Sequence, residues 1–320
     1  MIYQSGTLSD DLNTLPKLPA WITSGRAETF ESVAFRSGSA LTVLDALISD
    51  PTHGMPVKLL ANRLALSAAT ASSKLEGRLA READIRDAYY LTPRGEARGP
   101  DGDLLAFWRD ATRIKLTGRG WLSEVADLVH RNFEGEIAVC LVAGTIRAKT
   151  HGLLAGCVAV MRAVLEVDDR AERVACLLSD IVVAQALNWT SVVPFTAQKL
   201  TKAMLRDLVA DVQGAELNVQ KRLLECVEDT IRQSCDFATR ATALQAIAPK
   251  LRSKGSEVAV GLFLSEDAVA PSTMLSPLIQ GSTTSMTDRA ARRFCDRLVE
   301  LGVARELTGR ATFRLYGIAP

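Results

Sequence analysis

The sequence predicts an all-α body, a mainly helical bundle, followed by a smaller carboxyl-terminal unit written on a different pattern. Three observations lead there. From Phe30 to about Leu264 apolar residues recur three and four apart with few β-branched runs. Pro249 and residues 250–256, which hold three basic side chains and Gly255, interrupt that period. Beyond them, short helical runs alternate with a polar turn and two strand-like runs. The expected organisation is a loosely ordered arm over residues 1–29, a helical domain over 30–254 and the carboxyl-terminal unit over 255–320.

The opening MIYQSGTLSDDLNTLPKLPAW has neither a basic n-region nor an apolar h-region, so it is not read as a secretory signal. Val43, Leu44, Leu47 and Ile48 mark one face of the first helix, which Asp50-Pro51 stops because the residue before proline avoids the α region. A second helix is expected over 58–78. Its small-residue stretch SAATASSK admits a close neighbour, and Gly77 suits its carboxyl end. A third runs over 82–91, and TPRGEARGPDGD (92–103) then reads as a surface loop. Later helices are expected over 103–114, 122–132, 136–148, 153–166, 171–187, 197–212 and 216–247. In the last, Val219, Leu223, Cys226, Val227 and Thr230 form a buried stripe opposite a charged face.

Composition narrows function. With 48% hydrophobic and 23% charged residues the chain is globular rather than disordered. Thirty-eight basic against 37 acidic side chains give a net charge of +1, so any affinity for nucleic acid must be local. Six cysteines without a CxxC pair read as small core residues, and His53, His130 and His151 complete no ligand spacing, so no metal is expected. No GxxxxGKS or GxxxxGKT loop, no strand-borne GxGxxG and no GxSxG is present, and no cofactor is expected. The apolar stretches are too short to span a membrane, which places the protein in the cytoplasm as an expectation. Trp108, Trp121 and Trp189 are read as core or helix-junction anchors.

In the carboxyl-terminal unit, helices over 257–264, 273–280 and 288–301, a GSTTSMT turn and a final hairpin follow the order of a winged helix-turn-helix. Ser285 or Thr287 can cap the third helix. Its wheel puts Ala290, Ala291, Phe294, Leu298 and Leu301 inward and Arg289, Arg292, Arg293 and Asp296 outward. A three-residue loop Thr308-Gly309-Arg310 would gather Val303, Leu307, Phe313 and Leu315 on one hairpin face, leaving Arg310 at the tip and Arg314 outside. From Thr287 onward seven arginines face four acids. Thr287, Arg289, Arg292, Arg293, Arg310 and Arg314 are therefore the candidate DNA-binding residues, since an arginine fork matches guanine edges and phosphates.

The stretches RLALSAATASSKLEGRLAREADIRDAYYLT, GPDGDLLAFWR, SDIVVAQALNWTSVVPF, APKLRSKG and AARRFCDRLVELGVARELTGRATFRLYGI resemble the bacterial domain-of-unknown-function family 1403. The resemblance implies replicon maintenance, because such proteins are encoded on large plasmids or mobile elements beside a segregation-and-condensation winged-helix subunit. The tail also looks like the winged-helix end of proteins with a Fic adenylyltransferase domain, and SSKLEG (72–77) is similar to their inhibitory helix. Their HPFxxGNGR loop is absent, and His151-Gly152-Leu153-Leu154 offers no substitute.

The expected function is thus a non-enzymatic DNA-binding, replicon-maintenance or regulatory protein acting through its winged helix. One alternative is a protein-interaction subunit of the segregation-complex type. Another is a helical enzyme with its site at Asp84 and Asp87, carboxylates that share a helix face at (i, i+3) and could hold a cation or move a proton.

Overall fold

A computed structural model of the protein describes residues 15–93, 95–129, 133, 135–251, 255–310 and 312–318. It is 66% helix and 3% strand, so the mainly helical architecture is as expected. The body comprises α1 (Ala20–Thr23), α2 (Phe30–Ser49), α3 (Val57–Leu75), α4 (Glu82–Leu91), α5 (Gly99–Ala111), α6 (Trp121–Val129), α7 (Glu136–His151), α8 (Leu153–Val167), α9 (Glu172–Ala186), α10 (Lys202–Val209) and α11 (Ala215–Ile247). The carboxyl-terminal unit adds α12 (Ser256–Phe263), α13 (Asp288–Glu300) and strands β1 (Ala304–Glu306) and β2 (Tyr316–Ile318). Residues 1–14 of the expected arm, and His130, lie outside the described residues. The described part of the arm buries Leu15 and forms α1.

Two helix boundaries differ from expectation for identifiable reasons. α5 begins at Gly99 rather than at 103, because Pro100 sits in its first turn, where a missing amide costs nothing. The helix expected over 197–212 is confined to Lys202–Val209, capped by the Thr201 hydroxyl accepting from the Met204 amide. Just upstream, the Phe195 and Thr196 amides donate to Asp180, which commits that stretch to a loop.

The body closes around α8, which packs on α7 and α9, while α11 lies along α2 and crosses α8. Glycine makes the α7–α8 approach possible. A Cβ on Gly156 would stand 2.6 Å from the Ala148 Cβ and 2.7 Å from the Gly144 oxygen, and one on Gly144 would overlap Val160. Trp108 is fully buried with its indole N–H donating to Ser72, and Trp189 donates to Asp45. All six cysteines are free, and only Cys235 is not fully buried.

The carboxyl-terminal unit departs further from the sequence reading. No α-helix spans 273–280. A single wide turn, Pro271–Leu275, is followed by extended Ser276, because proline at 277 excludes the α region for its predecessor. The hairpin register pairs Ala304 with Ile318 and Glu306 with Tyr316, and the Leu307 amide donates to the Leu315 oxygen, so the loop runs from 308 to 314 and not over three residues. The Glu306 carboxylate explains this: it accepts from the Thr308 and Gly309 amides and the Thr308 hydroxyl, winding the chain before it can turn back. Burial by itself would raise the Glu306 pKa, but those hydrogen bonds outweigh it and hold it low. Phe313 consequently sits outward at φ +56° and 71% exposed instead of on the inner face.

A polar seam joins this unit to the body. Buried Arg109 of α5 donates to Tyr90 and Asp267, both at 2.6 Å, and to Glu266. Around it the Asn62 amide donates to the Ser265 oxygen and Arg86 donates to the Leu307 oxygen.

Candidate nucleic-acid interface

Thr287 caps α13, its hydroxyl accepting from the Ala290 amide at 3.3 Å, so the helix starts with its first turn exposed. Ala291, Phe294, Cys295 and Leu298 hold the inner face against the hydrophobic core, where Phe263 meets Phe294 edge-on. Residues four apart share a face, which leaves two outer rows. One is Arg289, Arg293 and Arg297; the other is Asp288, Arg292 and Asp296.

The first row is basic throughout. Together with Thr287 and Lys250 it lines an open groove of about 660 Å³ that has no acidic side chain among its described lining residues. Among the described residues Arg289 and Arg293 have no ion-pair partner, and Arg297 reaches Glu300 at 2.9 Å. The second row is neutralised locally, with Arg292 paired to Asp288 at 2.9 Å. It faces a different cleft, shared with Phe313 and Arg314.

Of the six sequence candidates, the structure brings Thr287, Arg289 and Arg293 to one groove and places the other three elsewhere. The wing arginines are engaged: Arg310 pairs with Asp87 of α4 at 3.0 Å, and Arg314 donates to the Arg310 oxygen and lies 3.9 Å from Asp296. Arg297 and Lys250 join the groove without having been candidates. The i, i+4, i+8 spacing of 289, 293 and 297 carried the signal for the first; nothing local signalled the second, which the chain delivers from the end of α11.

The two carboxylates of the enzyme reading are each paired with arginine. Asp84 is exposed and held below the usual carboxylate range by its hydrogen bond with Arg81, while Asp87 is tied to Arg86 and Arg310. The adjoining cleft is lined by Glu82 and Arg86, not by either of them. Among the described residues no group of three histidine, cysteine or acidic side chains is placed to hold a metal ion. No helix is long and apolar enough to cross a membrane, again among the described residues.

A family profile described as a protein of unknown function, DUF1403, matches residues 6–318. The chain belongs to that family. No curated protein matches it. The family match runs through the body, the seam and the basic groove alike. The SSKLEG stretch has a structural account of its own: Ser72 and Ser73 are fully buried, Ser72 accepting from Trp108 and Ser73 from the Ala80 amide.

Proposed function

We propose that the carboxyl-terminal unit is a winged helix-turn-helix that binds duplex DNA through the Arg289, Arg293 and Arg297 row of α13, in a maintenance or regulatory role. The order of elements supports it: α12, an extended residue Val269 that bridges to Tyr316 of β2, the turn at Pro271–Leu275, α13, and the two-stranded ribbon. The row of arginines in an acid-free groove is the observation that carries the reading. Phosphate contacts position such a protein on the duplex, and a fork presented from the first turns of the helix can reach base edges.

The wing contributes less than its sequence suggests. Arg310 and Arg314 keep about half of their side-chain surface exposed (56% and 46%). Asp87 is only 12% exposed and holds Arg310 more firmly, whereas the Arg314 contact with Asp296 is an exposed one, worth at most about 1 kcal/mol, so a phosphate can replace Asp296 at small cost.

Fluorescence anisotropy with a short duplex at increasing salt tests the proposal. Binding should weaken steeply, and removing both free arginines (R289A with R293A) should reduce the salt slope by about 2, roughly 0.9 per lost phosphate contact. Duplex binding that this double variant leaves unchanged, or no duplex binding at low salt, sinks it. The exposed Phe313 favours a second reading, in which the same unit docks a protein. That contact would be apolar, lost in Phe313→Ala and indifferent to salt.

A further inference from the structure

The outer face of α7 carries an exposed apolar stripe. Val139, Val142 and Ile146 are 60%, 56% and 61% exposed, and their i, i+3, i+7 spacing puts them in one stripe. The opposite face, Ile137, Cys140, Leu141 and Gly144, is buried and held against α8 by the glycine contact at 144 and 156. The stripe therefore cannot turn inward. Contiguous exposed β-branched residues of this kind mark contact surfaces rather than ordinary solvated helix.

The charges around the stripe identify what fits it. α7 has Glu136 in its first turn and no base before Arg147; its last turns hold Arg147, Lys149 and His151 and no acid. Glu136 and Lys149 are exposed, and neither has an ion-pair partner among the described residues. We infer that this face of α7 binds a second copy of the chain, helix against antiparallel helix. With the two-fold axis between Val142 and Ala143, Val139 of each copy lies level with Ile146 of the other, and the acidic end of one helix, at Glu136, lies beside the basic end of the other, at Arg147 and Lys149. An isologous contact demands such self-complementarity. A parallel pairing would instead set acid beside acid and base beside base and align the helix dipoles. Half-exposed Ala143 and exposed Ala138 flank the stripe and let the backbones approach. Two copies would also present two α13 grooves, as duplex-binding dimers do, but the inference does not depend on DNA binding.

Sedimentation velocity on the full chain over a concentration series tests it. One helix face lies at or below the roughly 1,000 Å² of a small specific interface, so the expected dissociation constant is on the order of micromolar. Val142→Arg should leave a monomer with unchanged circular dichroism and, at concentrations too low for the wild type to pair, an unchanged melting temperature, because Val142 is exposed in the monomer. Glu136→Lys should weaken the dimer about threefold or more, since it makes both meeting helix ends basic and like charges repel. The inference is overturned by a wild type that stays monomeric at about 100 times that concentration, by a dimer that survives Val142→Arg, or by a dimer that Glu136→Lys leaves unchanged.

Discussion

Asp180 in the body and Asp267 at the seam are both all but inaccessible, at 0% and 1% side-chain exposure for the groups concerned, and they are buried in opposite ways. Asp180 has no cation bonded to it; one oxygen accepts the Phe195 and Thr196 amides, and the other has no hydrogen-bond partner among the described residues. Burial pushes its pKa up to about 8, against the pull of those amide hydrogen bonds. Asp267 instead meets the Arg109 guanidinium, with Tyr90 and Glu266 around it. The same burial and Asp267 together push the Tyr90 hydroxyl well above its usual range, keeping it a donor. The contrast shows two solutions to one problem. The body uses one buried acid, held by two backbone amides, to close a loop, whereas the seam uses directional charged bonds to fix how the carboxyl-terminal part sits on the helices.

Breaking the seam should have the largest effect. Arg109→Met leaves Glu266 and Asp267 buried without their guanidinium and is expected to cost about 3–5 kcal/mol in urea unfolding. A loss under about 1 kcal/mol would mean the acids find water instead and the seam is not a dry one. Next comes the body's own close contact. Gly156→Ala should lose about 1–3 kcal/mol from overpacking against Ala148, although alanine favours a helix over glycine by about 1 kcal/mol. A stabilised variant would show that α7 and α8 can part. The smallest effect, per pH unit, concerns Asp180. Its folded pKa of about 8 exceeds the ordinary 3.8, so the folded state holds the extra proton between those values. Stability should fall as pH rises through that window, by at most about 1.4 kcal/mol per unit. Asp180→Asn keeps the acceptor for both amides and should flatten that dependence when unfolding is followed across the window; an unchanged slope would assign it to another group.

Much of the helical body was legible because its signals are local. Asp50-Pro51 ends α2, Gly77 at φ +78° follows α3, and the stripe through Val219 and Val227 runs along α11. Thr287 likewise announced the start of α13. The failures have one form. The helix expected over 273–280 had apolar spacing, but Pro277 vetoed it. The three-residue hairpin loop satisfied the side-chain alternation, yet Glu306 bound the next two amides and moved the turn. In both places a single backbone constraint beat a periodicity argument. On α13, the wheel could not separate Arg292 from Arg289 and Arg293, because only the bundle around a helix determines which of its outer rows lies open.

By itself, the sequence determined most of the segments that become helices, where many of them stop, and that a basic amphipathic helix lies near the carboxyl end. Periodicity, caps and prolines act within a few residues, and the chain carries them wherever it goes. The tertiary structure decided which charges remain available. Asp87 and Arg310 are 223 residues apart, as are no two partners of any local rule, and their meeting takes the wing out of the open set while Lys250 enters it. Ion pairing depends on distance in space, and that distance exists only once the core has closed.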